Sequence, residues 1–119
     1  MNFVYKNKVT PCLLRAACSA ACSAYDTYNN IFEESYDPVG ILQGDCRERR
    51  LVIPRQIAMF LLRTEAKTTY MSIAEAFNRS HRTVLYAVAT IKGEVSVSKE
   101  RKREVELAKY LYTDIIKSV

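Results

Sequence analysis

A chain of 119 residues that is 49% apolar, with three glycines and three prolines, is large enough to bury one core and too apolar to be disordered. Its formal net charge of +5 is unevenly placed, net −2 over residues 1–46 and net +7 over residues 47–119. No apolar run approaches a membrane span, and Arg15 interrupts the small-residue run 12–24, which argues against a secretory signal and for a cytoplasmic protein without a membrane partner.

The elements read in chain order as helices, and abundant Ala, Leu, Glu, Lys and Arg point to an all-α fold. Thr10 and Pro11 give an N-cap and a first helical residue, opening a helix expected to run to about Glu34. Leu14, Cys18, Ala21, Tyr25, Tyr28 and Phe32 recur on one face of it. Cys12, Cys18, Cys22 and Cys46 form no CxxC pair, and the lone His81 is distant, so they are read as small buried hydrophobes; no metal or cofactor is expected. Asp37 and Pro38 start a short helix carrying Val39, Ile41 and Leu42 and closed by Gly44.

The charged run 47–50 leads into a third helix, from about Leu51 or Pro54 to Thr64, with Pro54 in its first turn and Ile57, Phe60 and Leu61 inward. A fourth helix over 70–77 buries Met71, Ile73, Ala74 and Phe77. Asn78 and Arg79 form a turn, because Asn tolerates a left-handed backbone. Ser80 caps a fifth helix with Val84, Leu85, Val88 and Ile91 inward, ending at Gly93, and a last helix runs from Ser98 to Lys117. The organisation expected is an N-terminal helical arm, residues 1–46, for packing or oligomerisation, and a helix-turn-helix domain, residues 47–119.

Chemistry concentrates at two places in the basic part. Ser80, His81, Arg82 and Thr83 open the fifth helix with Arg79 just before them, so hydroxyl, imidazole and guanidinium groups stand at a helix N-terminus. A recognition helix presents its N-terminal residues to base edges in the major groove, and the helix end itself attracts phosphate. Arg82 suits guanine, and Arg55 stands where it could reach the backbone or an adjacent minor groove, beyond Arg49 and Arg50. Tyr86 is either core or a phosphate-contacting hydroxyl. Lys99, Arg101, Lys102 and Arg103 read as a solvated face.

These residues resemble the DNA-binding C-terminal domain of the bacterial replication initiator DnaA family. Its Pro-Arg-Gln followed by an apolar helix is matched by Pro54-Arg55-Gln56-Ile57-Ala58-Met59. Its Phe-Gly turn followed by Arg-Asp-His-Thr-Thr-Val-Leu-His-Ala is matched by Phe77-Asn78-Arg79-Ser80-His81-Arg82-Thr83-Val84-Leu85-Tyr86-Ala87. The resemblance covers residues 25–117 and implies a Trp-repressor-like helix-turn-helix that binds double-stranded DNA in replication or transcription control. It aligns Arg55 with a minor-groove arginine and Ser80, His81 and Arg82 with the Asp-His-Thr base readers. Ser80 lacks the anionic acceptor suited to cytosine N4, and Arg82 replaces a thymine-methyl contact by a guanine-seeking cation, so an altered site is expected.

No Gly-Lys-Ser/Thr phosphate loop occurs, and no nucleophile is paired with a base. The expectation is a non-catalytic accessory protein without the family's ATPase, of the kind a phage or mobile element carries. The alternative is a helical homodimer or protein-interaction adaptor using the apolar face of the first helix, with vestigial DNA binding.

Overall fold

The computed structural model describes residues 8–33, 35–44 and 48–118, with the side chain of Arg49 also outside the description. Six helices follow in order: α1 Pro11–Asn29, α2 Pro38–Gln43, α3 Arg49–Thr64, α4 Tyr70–Phe77, α5 His81–Val97 and α6 Lys99–Lys117. The fold is all-α. None of the helices is long and apolar enough to cross a membrane.

α1 occupies the middle. Ala16, Ala17, Cys18, Ala20, Ala21, Cys22 and Ala24 are all at most 1% exposed. Small side chains on so wide a face let α3 and α6 pack against it, and α2 closes one side. A single buried cluster joins α1 and Leu42 to Ile57, Leu61, Ile73, Phe77, Val84, Ile91, Val105 and Ala108, drawing on residues on both sides of position 46. The apolar face of the first helix is therefore covered within the chain, chiefly by α6.

Local signals act as expected at several ends. The hydroxyl of Thr10 accepts from the amide of Leu13 at 3.2 Å, and Ser98 caps α6 by accepting from Arg101 N at 3.2 Å. Elsewhere tertiary context prevails. α1 stops at Asn29, short of Glu34, because Asn30 turns left-handed (φ 50°) and the carboxylate of Asp26 takes the amides of Ile31 and Phe32 at 2.7 and 2.8 Å. Glu34 itself and Cys46 lie outside the described residues. α3 begins at Arg49, so Pro54 sits inside the helix rather than in its first turn; the ring is fully buried in the core, and packing outweighs the lost backbone bond. α5 runs past Gly93 to Val97, and along that extension Glu94 meets Arg101.

Three residues expected to be inward face out. Tyr28 is 41% exposed under the guanidinium of Arg103, 4.3 Å above its ring. Met71 is 60% exposed because the eight-residue α4 buries only the face carrying Ser72, Ile73, Ala74 and Phe77; Leu85 is 42% exposed at the edge of a groove floored by Phe60 and Val88. Cys12 is also exposed, unlike the buried Cys18 and Cys22.

Arg55, Thr68, Ser72 and Glu104 are the buried polar residues among those described. Glu104, 3% exposed, accepts from Arg101 Nη1 and, at 2.9 Å, from Asn29 Nδ2, while Arg101 Nε donates to Glu94 at 2.8 Å. Burial works against the charged form of Arg101, but the hydrogen bonds and charges of Glu94 and Glu104 outweigh it and hold the guanidinium protonated. The knot ties the C-terminal ends of α1 and α5 to α6.

Replacing Ala21 by Leu should overpack the α1 interface and cost roughly 1–3 kcal/mol, read from the urea midpoint. Burial raises the pKa of the Cys22 thiol from 9.0 to about 12 and also raises those of the Cys18 thiol and the Tyr36 and Tyr112 phenols. These folded groups hold protons that the unfolded chain releases, so their contribution is intact below pH 9 and is lost as pH rises toward 12. Denaturant titration at pH 7, 9 and 11 should show stability falling over the upper interval.

Candidate nucleic-acid interface

α4 and α5 are joined by a three-residue turn, 78–80. α4 is capped by Thr69, whose hydroxyl accepts from Ser72 N at 3.1 Å, and it ends where Asn78 adopts a left-handed backbone (φ 53°). The amide of Arg79 then reaches back to Ala74 O at 2.9 Å, satisfying a carbonyl the helix leaves open. Ser80 caps α5: its Oγ accepts from Thr83 N at 3.3 Å and lies 3.2 Å from Thr83 Oγ1. Phe77 and Val84, both fully buried on either side of the turn, set the crossing of the two helices.

This geometry leaves the first turn of α5 free on its outer side. Ser80, His81, Arg82 and Thr83 are all exposed, whereas Val84, Ala87, Val88 and Ile91 on the same helix are buried. Tyr86, one turn beyond Arg82 on the same face, is 68% exposed, so it is not a core residue. These four side chains and Tyr86 are all exposed within the first two turns of α5.

The remaining candidates are placed differently. Arg79 is half-buried and points inward, donating from Nη1 to Phe77 O at 2.7 Å and Gln43 O at 3.4 Å and from Nη2 to Gly44 O. Arg55 is 6% exposed and donates from Nε to Leu42 O at 2.7 Å and from Nη2 to Gly44 O at 3.1 Å. Arg50 is exposed and paired with Glu48 at 2.8 Å; Arg49 contributes backbone to the first turn of α3, its side chain being outside the description. Sequence reasoning passed over Gln43, whose amide donates to Ala76 O at 2.7 Å and ties α2 to α4. A lone Gln at the end of a six-residue helix carries no signal for that contact.

Among the described residues no group of three or more His, Cys, Asp or Glu could hold a metal ion. What remains is a cationic and hydroxyl-bearing helix end on a small all-α scaffold, which defines a helix-turn-helix protein. Residues 35–91 match the family model described as the bacterial DnaA protein helix-turn-helix. The chain carries a DnaA C-terminal-like DNA-binding domain.

Individual relatives point the same way. The chain is 41% identical over 68 residues, 57% of its length and 15% of the relative's, to chromosomal replication initiator protein DnaA 2 of Chlamydia pneumoniae. It is 33% identical over 115 residues, 92% of its length and 25% of the relative's, to chromosomal replication initiator protein DnaA of Treponema pallidum (strain Nichols). A third match, to the protein of that name from Citrifermentans bemidjiense, is 36% identical over 77 residues, 63% of this chain and 17% of the relative. The chain thus spans 15% to 25% of the length of these curated relatives. The alignment to the Treponema protein extends over most of this chain, whereas the family model begins only at residue 35.

The left-handed turn gives a direct check. Asn78→Gly should keep or slightly raise stability, while Asn78→Ala should lose about 1 kcal/mol for forcing a Cβ-bearing residue without Asn's local bonding into that region. Thermal melts of the two variants decide it.

Proposed function

We propose that this chain binds double-stranded DNA sequence-specifically and without catalysis, in replication initiation or its control. The observation that carries the proposal is the first turn of α5, where Ser80, His81, Arg82 and Thr83 are exposed on a helix seated in the core by Val84, Ala87, Val88 and Ile91. A helix end of that composition enters the major groove by its N-terminus, with free amides and the helix dipole attracting phosphate. The relatives are named chromosomal replication initiator proteins, which supports the same process for this chain.

Each reader has a role. Arg82 projects two parallel donors suited to guanine O6 and N7, His81 offers a ring nitrogen to a base edge, and Ser80 and Thr83 offer hydroxyls to bases or phosphate. Tyr86 extends the same face by a turn and presents its hydroxyl to the groove wall. Arg50, exposed at the first turn of α3, supplies charge toward the phosphates. Because Ser80 and Arg82 stand where the family has Asp and Thr, the preferred site departs from the family's box and includes a guanine opposite Arg82. The chain serves as an accessory factor, with cytoplasmic location following from that role.

Selection of duplexes from a random pool tests this reading. A single enriched motif that differs from the family's box is the expected result; return of the family's box would sink the altered-site inference, and no enrichment would sink specific binding. Alanine at Arg82 or His81 should lower affinity for the selected site by about 1–3 kcal/mol, and Arg82→Ala should relax preference at one base pair. Lys102→Ala should do little. Equal losses at all three positions would mean nonspecific adhesion to a basic surface.

A further inference from the structure

We infer that Arg55 and Arg79 are positioning residues: together they clamp the end of α2 and so fix the reading turn from behind, without touching DNA phosphate. The inference rests on the DNA-binding reading above and changes the part played by the Pro-Arg-Gln anchor.

Two guanidiniums, 24 positions apart in the chain, converge on one short stretch of backbone. The carbonyls of Leu42, Gln43 and Gly44 close α2, where helix geometry leaves carbonyls without intrahelical donors. Arg55 takes Leu42 O and Gly44 O, at 2.7 and 3.1 Å; Arg79 takes Gly44 O and Gln43 O and adds Phe77 O, at 2.7 Å, from the last residue of α4. Gln43 answers with its side-chain amide on Ala76 O. Arg55 thus ties the end of α2 to α3, Gln43 ties it to α4, and Arg79 ties it to the turn between α4 and α5 while also holding the last carbonyl of α4.

Burial distinguishes this arrangement from a phosphate site. At 6% exposure, Arg55 would have to leave two carbonyls to reach a phosphate, and those carbonyls would then lose their donors. The fork geometry is specific to arginine. A lysine keeps the charge but is a point donor that cannot span Leu42 O and Gly44 O in one plane. Phosphate binding asks for charge, whereas clamping asks for the fork, so the Arg-to-Lys exchange separates the two roles.

The experiment compares the full chain with Arg55→Lys, Arg55→Gln and Arg79→Lys. Melting without DNA, amide hydrogen exchange and affinity for a selected duplex across a salt series are the measurements. Positioning predicts that Arg55→Lys lowers the DNA-free Tm by about 5 °C and speeds exchange at residues 41–44 by about tenfold, with a similar loss of affinity. The slope of log affinity against log salt should be unchanged in Arg55→Gln. A phosphate contact predicts the reverse, namely Arg55→Lys near parental in all three measurements and a slope shallower by about 0.9 in Arg55→Gln. That result would overturn the inference. If the Arg55 variants do not fold, Arg79→Lys carries the test, and parental exchange at residues 41–44 in that variant would refute the clamp. A parent chain that binds no duplex would defeat the proposed function, yet melting and exchange would still decide the clamp.

Discussion

The fold depends on how thin α1 is. Seven Ala and Cys side chains, buried almost to completion, form the centre of the molecule, and both α3 and α6 come to rest on them. A helix of larger residues would hold its neighbours further apart, since interhelical distance follows the side chains at the contact. α3 in turn is the platform on which α5 lies, so the setting of α5 is inherited from α1 through one intermediate layer. The N-terminal segment thus contributes to the placing of α5 through the packing beneath it.

Backbone carbonyls are a second organising element. α2 has only six residues, too few to be stable by its own hydrogen bonds. It is held instead by side chains from α3 and from the reading turn, and it occupies the corner between them. A similar arrangement appears at the other end of the molecule, where Asn29 links the last turn of α1 to the carboxylate of Glu104. In both places a polar side chain satisfies a group that would otherwise lack a partner, and the connection between elements is a by-product of that satisfaction.

Much of this was legible in the residues where the rule is local. The Thr10 and Ser80 hydroxyls cap the helices they precede, and Asn78 takes the left-handed backbone that a turn of this kind needs. What could not be read depends on partners distant in the chain. Arg55 looks like a free cation beside a proline because its acceptors are main-chain oxygens eleven and thirteen residues upstream, and backbone oxygens leave no trace in sequence. Arg101 reads as part of a solvated face, yet it is half-buried because Glu94 and Glu104 converge on it. Met71 and Leu85 are apolar at positions that periodicity assigns to the core, but α4 is too short to bury more than one face and Leu85 lies at a groove edge.

The ionic knot at Glu94 has a mechanical consequence. Arg82 and Glu94 stand on one helix of 17 residues, and the 12 positions between their numbers correspond to about 18 Å along its axis. The cluster of Glu94, Arg101, Glu104 and Asn29 anchors the C-terminal part of α5, while Val84 seats its other end in the core. A tilt of about 3° at that anchor would carry the tip sideways by about 1 Å over such a length, roughly twice the range over which a hydrogen bond to a base edge stays well formed. The placing of Arg82 therefore depends in part on charges about three turns away, at the far end of α5 and on neighbouring α6.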